Sequence, residues 1–160
     1  MAAAQVMTGS ERSSLNGQRI KNPQLIVLSR EEVERYEPRR KEICISISDP
    51  YAKPARLSPR FKAVIRMYFS DVTESGDPLD VLFAADHATA IRDFIERAPE
   101  FDRIILHCNM GISRSPGVAL GLCDLNGWAT AELERKHPGW NRLVRTVMRE
   151  AAKPKKASSA

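Results

Sequence analysis

The residues His107-Cys108-Asn109-Met110-Gly111-Ile112-Ser113-Arg114-Ser115 set a thiol and a guanidinium at the two ends of a short arch, with a glycine between them. A thiol becomes a strong nucleophile as a thiolate, a form favoured by a helix N-terminus and a neighbouring cation. Here a helix expected from about Ser115 supplies the first and Arg114 the second. Gly111 lets the chain turn through positive φ and come close to a ligand. Successive amides from Asn109 to Arg114 can then point inward as an anion nest at a helix start. Arg114 offers a planar fork that grips two phosphoryl oxygens at once. Ser115 can hydrogen-bond the sulfur and stabilise it as a leaving group, and His107 can brace the loop through its ring. The chemistry implied is transfer of a phosphoryl group to Cys108, with Asn109, Met110, Gly111, Ile112, Ser113, Arg114 and Ser115 lining the anion site.

A cysteine before a helix is more often an inert core residue. That is the reading for Cys123, on a helix face, and for Cys44, in a strand. Cys108 differs because its neighbours meet several separate demands of the chemistry together. From average residue usage, H-C-x2-G-x2-R-S arises by chance on the order of once in 10⁵ chains of this length. The nucleotide-binding pattern G-x4-G-K-[ST] is absent, which removes the commonest other phosphate loop.

The elements that must hold this arch can be read on either side of it. Ile104-Ile105-Leu106 is an apolar run without alternation, as for a strand at the centre of a sheet. Pro116 suits a first helical position, and Val118, Leu122 and Leu125 line one face of a helix up to Gly127. Upstream, Leu25-Ile26-Val27-Leu28 predicts a first strand, and Ser29 with Glu32 predicts a capping box for a helix that Pro38 closes. Ile43-Cys44-Ile45-Ser46-Ile47-Ser48 alternates strictly, with the isoleucines on one face and Cys44 on the other among small residues. Residues 49 to 60 form a proline-rich loop, Ala63 to Phe69 the next strand, and residues 73 to 80 an acidic loop. Steps of three and four from Phe83 to Arg97 predict an amphipathic helix. Helices from about Thr130 to Lys136 and from about Asn141 to Ala152 complete the order. Strand-helix-strand-strand-helix-strand-helix argues an α/β fold, a central, mainly parallel sheet flanked by helices.

Length and composition set the bounds. The chain has 160 residues, 42% hydrophobic and 28% charged, which suits one globular domain with a sizeable core. The expected organisation is a flexible arm over 1–22, a catalytic domain over 23–152 and a basic flexible tail over 153–160. No apolar run approaches a membrane span, and the first residues lack a basic region followed by an apolar core. The three cysteines have no paired spacing, so neither a disulfide framework nor a metal site is expected, and a reducing cytoplasm fits. The formal net charge of +5 is partly terminal, from Lys153, Lys155 and Lys156. No aromatic residues interleave with the basic ones as a single-strand platform needs, so nucleic-acid binding is not expected. Arg56, Arg60 and Lys62 of the proline-rich loop are read as solvated.

The stretch HCNMGISRS resembles the H-C-x5-R-[ST] signature of the protein tyrosine and dual-specificity phosphatase superfamily, most of all its small single-domain bacterial members. The resemblance covers roughly Leu25 to Ala152, by motif at the arch and by layout elsewhere. It implies the dual-specificity-phosphatase fold, a phosphocysteine intermediate, no metal or other cofactor, and an Asp on a mobile loop as general acid. Cys108 comes late and the candidate acids precede it, which is the dual-specificity order rather than that of the low-molecular-weight tyrosine phosphatases.

Asp71 ends the strand Ala63–Phe69 and lies 37 residues before Cys108 (108 − 71). Relatives carry their acid after an aromatic-x at this strand end, and Phe69-Ser70-Asp71 fits. The loop is a few residues longer than in relatives, so Asp77 stands as the alternate and Asp80 as the least favoured. Relatives also carry Pro-Asn before the last helix, where the Asn braces the phosphate loop. Here the pair is split, Pro138-Gly139-Trp140-Asn141, and Asn141 is equally placed to cap the helix.

The expected function is hydrolysis of a phosphate monoester, on protein phosphotyrosine or phosphoserine/threonine, by a monomeric cytoplasmic enzyme with no membrane partner. Two rivals come from other classes: a sulfurtransferase or arsenate reductase, and a phosphate-binding module without turnover. Ser115 and an upstream acid disfavour the first. The joint presence of Cys108, Arg114 and Asp71 disfavours the second.

Overall fold

A computed structural model describes residues 22–151. All of the expected arm except Asn22, the whole basic tail and Ala152 lie outside the described residues. In chain order the elements are β1 (Gln24–Leu28), α1 (Arg30–Glu34), β2 (Glu42–Ser48), β3 (Ala63–Tyr68), α2 (Ala85–Arg97), β4 (Arg103–His107), α3 (Arg114–Asn126), α4 (Ala131–Lys136) and α5 (Arg142–Glu150). The four strands form one parallel sheet in the order β1-β4-β2-β3. The fold is α/β, with the sheet flanked by helices.

Parallel strands need crossover connections, and these carry helices to both faces of the sheet. On one face Ile43, Ile45, Ile47, Ile104 and Leu106 pack with Ile91 of α2, Val118 and Leu122 of α3, and Val144 and Met148 of α5. On the other, Cys44 and Ile105 pack with Val33 of α1 and with Ala55 and Phe61 of the proline-rich segment. The alternation in β2 predicts one apolar face, and the isoleucines form it. The opposite face is buried too, with Ser46 1% and Ser48 5% exposed. Serine and cysteine serve there because α1 and the segment after β2 lie over that face.

Two local signals act as the sequence predicts. The Ser29 hydroxyl accepts the Glu32 amide at 3.1 Å while the Glu32 carboxylate accepts the Ser29 amide at 2.8 Å, a complete capping box. Gly127 ends α3 in the left-handed conformation, φ 73°. Pro116 is the third residue of α3 rather than the first. Its missing N–H is still harmless, because the first four amides of a helix have no intrahelical partner.

Helix α3 is buried from Arg114 to Cys123, and α5 lies directly on it. A Cβ on Gly117 would stand 2.9 Å from the Asn141 carbonyl oxygen, and one on Gly121 would stand 2.7 Å from Met148 Cγ. These two glycines, one helical turn apart, allow the close approach. Arg145 of α5 then clamps the helices, donating to Asp124 of α3 at 2.8 and 3.1 Å and to Glu134 of α4 at 2.9 Å.

Candidate active site

The carboxyl ends of the four strands meet at one edge of the sheet, where open α/β folds place their ligand sites. The arch leaves β4 at His107 and enters α3 at Arg114. It is tied to the end of β1, since the Arg30 amide donates to the Asn109 carbonyl at 3.0 Å. Gly111 has φ +74°, and a Cβ there would stand 2.9 Å from Leu28 C and O and from Ser29 N. Both the turn and the contact with the β1–α1 junction therefore require glycine.

Cys108 is 2% exposed. Its Sγ accepts the Gly111 amide at 3.3 Å and lies 3.1 Å from the Ser115 hydroxyl. Burial pushes Cys44 up to about 12 and Cys123 likewise to about 12, so both stay protonated and unreactive.

His107 is fully buried and supports the arch from behind. Its Nδ1 lies 3.0 Å from the Cys108 carbonyl oxygen, and its Nε2 lies 2.6 Å from Ser46 Oγ. A carbonyl accepts and cannot donate, so Nδ1 carries the hydrogen and Nε2 accepts from the serine hydroxyl. Burial, the largest cause, holds the ring below its ordinary pKa, partly opposed by the bond to the Cys108 carbonyl.

Arg114 is 4% exposed. Its Nη1 donates to the Phe69 carbonyl at 2.8 Å and pairs with Asp49 Oδ1 at 2.8 Å. Its buried Nε–H finds no acceptor among the described residues. A buried donor without a partner is costly. Beside an arch of this shape, an anion is the natural acceptor.

Of the three candidate acids, Asp71 is the one that reaches the arch. Its Oδ1 accepts from Ser113 Oγ at 2.7 Å and from Asn141 Nδ2 at 3.0 Å. Asp77 and Asp80 are engaged in their own turn: Asp77 accepts the Leu79 amide at 2.8 Å, and Asp80 accepts the amides of Gly76 and Asp77 at 3.1 and 3.0 Å. The loop carrying all three is pinched at its base, where Ser70 and Val81 exchange bonds of 2.8 and 2.9 Å. That pinch keeps Asp71 beside the arch whatever the length of the loop.

Asn141 does both things the sequence leaves open. Its Oδ1 accepts the Val144 amide at 3.0 Å, capping α5, while its Nδ2 donates to Asp71 and to the Val72 carbonyl at 3.2 Å. Its own amide donates to the Ser113 carbonyl at 2.9 Å.

Met110 and Ile112 are 67% and 54% exposed on the rim of the arch. Arg56 pairs with Glu34 of α1 at 3.2 Å. Sequence reasoning missed Asp49 and Ser46. Ser46 meets His107 through the register of β2 on β4, and Asp49 follows β2 at the edge of the sheet where the arch also sits. Among the described residues, no group of His, Cys, Asp and Glu is arranged to hold a metal ion, and no helix is long and apolar enough to cross a membrane.

No family model and no curated protein sequence matches the chain. Among solved structures it is similar to Tk-PTP in its active form, at 19% identity and a TM-score of 0.49, over 84% of this chain and 95% of that one.

Proposed function

We propose that the protein is a cysteine-dependent phosphatase that hydrolyses a phosphate monoester, with phosphorylated tyrosine or serine/threonine of a protein as the substrate class. The observation that carries this reading is the buried guanidinium of Arg114, with its Nε–H unspent, on the same loop as a thiol that already accepts an amide. Cys108 Sγ attacks phosphorus and the bond to the leaving oxygen breaks. Arg114 and the arch amides stabilise the equatorial oxygens as charge develops on them. Asp71 delivers a proton to the leaving oxygen; Oδ1 holds the bonds from Ser113 and Asn141, so Oδ2 is the oxygen suited to carry it. Water then attacks the phosphocysteine and gives its proton to Asp71. Inorganic phosphate forms, and the sulfur leaves as a thiolate supported by the Gly111 amide and the Ser115 hydroxyl.

The test is turnover of p-nitrophenyl phosphate by the wild type and by Cys108→Ser. Hydrolysis that survives EDTA and disappears in Cys108→Ser is the expected result. A Cys108→Ser protein as active as the wild type overturns the proposal. So does a wild type that turns over thiosulfate or arsenate faster than any phosphate ester, or one that binds phosphopeptides without releasing product.

A further inference from the structure

We infer that the corner of the sheet where β2 and β3 begin, which presents Arg39, Arg40, Arg60 and Lys62, is a docking surface for an acidic stretch of a partner protein. It lies at the other end of the strands from the arch and does not rest on the phosphatase reading. Arg39 and Arg40 precede β2, and Arg60 and Lys62 precede β3. The two strands pair in parallel with Ile43 opposite Ala63, and the Lys62 amide donates to the Glu42 carbonyl at 2.8 Å. Strand register therefore brings two basic stretches side by side. A buried carboxylate holds the first of them. Glu42 is 0% exposed; its Oε2 accepts the amides of Arg39 and Arg40 at 3.1 and 3.2 Å and pairs with Arg103 at 3.3 Å, while its Oε1 accepts the Tyr36 hydroxyl. A buried carboxylate is costly unless its lone pairs are met. Here part of that need is met by the very backbone that presents the two arginines. In the second stretch Phe61 turns inward, 8% exposed and stacked on Tyr36 at 6.1 Å, while Arg60 and Lys62 on either side of it are exposed.

The backbone of both stretches is thus fixed while the cationic ends stay open to solvent. Among the described residues none of these four side chains bonds a carboxylate or another acceptor. Arg30, Arg35, Arg56, Arg103, Arg145 and Arg149 each pair with one. Cations gathered without counter-charges raise a local positive field that an anionic partner relieves, and each arginine fork matches a carboxylate. The surroundings select the kind of anion. Lys41 is already paired with Glu100 at 3.1 Å, Asp102 lies beside it with its amide on the Lys41 carbonyl at 2.9 Å, and Glu37 accepts the Ser58 hydroxyl at 2.8 Å. Glu37, Glu100 and Asp102 are exposed. A nucleic-acid backbone or an anionic bilayer would be drawn across these carboxylates, whereas a short run of Asp and Glu fits between them. The seven residues of β2 set the patch about 20 Å from the catalytic edge, so a partner held there leaves the arch open.

The experiment follows the fluorescence anisotropy of a labelled Glu-rich peptide, with full-length protein at low salt. Wild type is compared with two patch variants, Arg39→Glu with Arg40→Glu and Arg60→Glu with Lys62→Glu. Arg135→Glu with Lys136→Glu makes the same change of charge on α4. Each patch variant is expected to weaken binding about tenfold, because like charges then face the peptide. The α4 variant is expected to stay within about twofold of wild type, its charges being screened at that distance. A peptide with Gln in place of Glu is expected not to bind. Thermal midpoints and p-nitrophenyl phosphate turnover of the patch variants are expected to match wild type, showing that fold and arch are intact. If the wild type hydrolyses no ester, the phosphatase reading falls and the docking reading is still decided by anisotropy and the melts. No binding of the Glu-rich peptide by wild type overturns the inference. So does an equal loss in the α4 variant, which reduces the effect to net charge. Tighter binding of single-stranded DNA, or of vesicles of phosphatidylserine and phosphatidylcholine, than of the peptide overturns the choice of a protein partner.

Discussion

Ser113 Oγ donates to Asp71 Oδ1 at 2.7 Å, joining a residue of the arch to one that lies 42 positions earlier in the chain. Ser113 stands at the N-cap of α3 yet makes no side-chain cap bond. Its hydroxyl goes to the carboxylate instead. The helix forgoes a contribution of about 1 kcal/mol, and the acid loop is held against the arch.

Asp71→Asn should lower kcat by about 10²–10⁴-fold on alkyl phosphates, whose leaving oxygen needs a proton. The loss should shrink on aryl phosphates with good leaving groups. Asp77→Asn should leave both rates near wild type, because its carboxylate serves only its own turn. A leaving-group series on the two variants checks this, and the reverse pattern would assign the acid to Asp77.

Asn141 combines a cap with a latch, and substitution can separate them. Serine caps helices well but lacks the amide donor that reaches Asp71. Asn141→Ser should therefore keep a near-native thermal midpoint while kcat falls. Asn141→Ala should lose the cap as well, at about 1 kcal/mol. Denaturant melts beside steady-state rates distinguish the two.

Gly111→Ala places a methyl group against the backbone of Leu28 and Ser29 and forces alanine into φ +74°. The strain of such a residue is of order 1–3 kcal/mol, and the arch would move to relieve it. Since the Gly111 amide points at Cys108 Sγ, kcat/KM should fall about 10²-fold. Urea melts should show the stability loss, and a fully active Gly111→Ala protein would contradict the geometry.

Stability should decline on mild acidification. Burial lowers the pKa of His107, and burial with the neighbouring Lys136 charge lowers that of His137. The unfolded chain then takes up protons first as pH falls through about 6.5, the ordinary histidine value. Full stability is present above that pH and is lost progressively below it. The urea midpoint should drop between pH 7 and 5. His107→Asn should flatten that slope more than His137→Asn, whose ring is less buried.

The arch could be read from sequence because its parts are contiguous: nucleophile, turn glycine, fork and helix start all lie between His107 and Ser115. The α/β order was legible for a similar reason, since period and caps are local properties. Asp71 could be singled out because it closely follows a strand, after the aromatic-x pair that the resemblance associates with the acid. What was hidden depends on side chains meeting across the sheet. Asp49 lies in a proline-rich loop, where an acidic residue ordinarily faces water, and nothing local marks it as a partner of Arg114. Ser46 reads as a small residue on a strand face, and its bond to His107 follows from the register that places the two side by side on β2 and β4. Asn141 looked like a choice between bracing and capping because sequence cannot show that its two amide atoms serve different neighbours.

Gly117 and Gly121 allow α5 to lie on α3. That contact also sets the height of Asn141 above the arch, since Asn141 heads α5 and the Gly117 position abuts its carbonyl oxygen. The thickness of the α3–α5 seam thus acts as a spacer for the bond from Asn141 to Asp71. A larger side chain at position 121, buried between α3 and Met148 of α5, would lever α5 outward and carry the latch away from Asp71. If the protein is the phosphatase proposed, its turnover should then respond to core volume in steps of a methyl group, with no change to a residue of the arch.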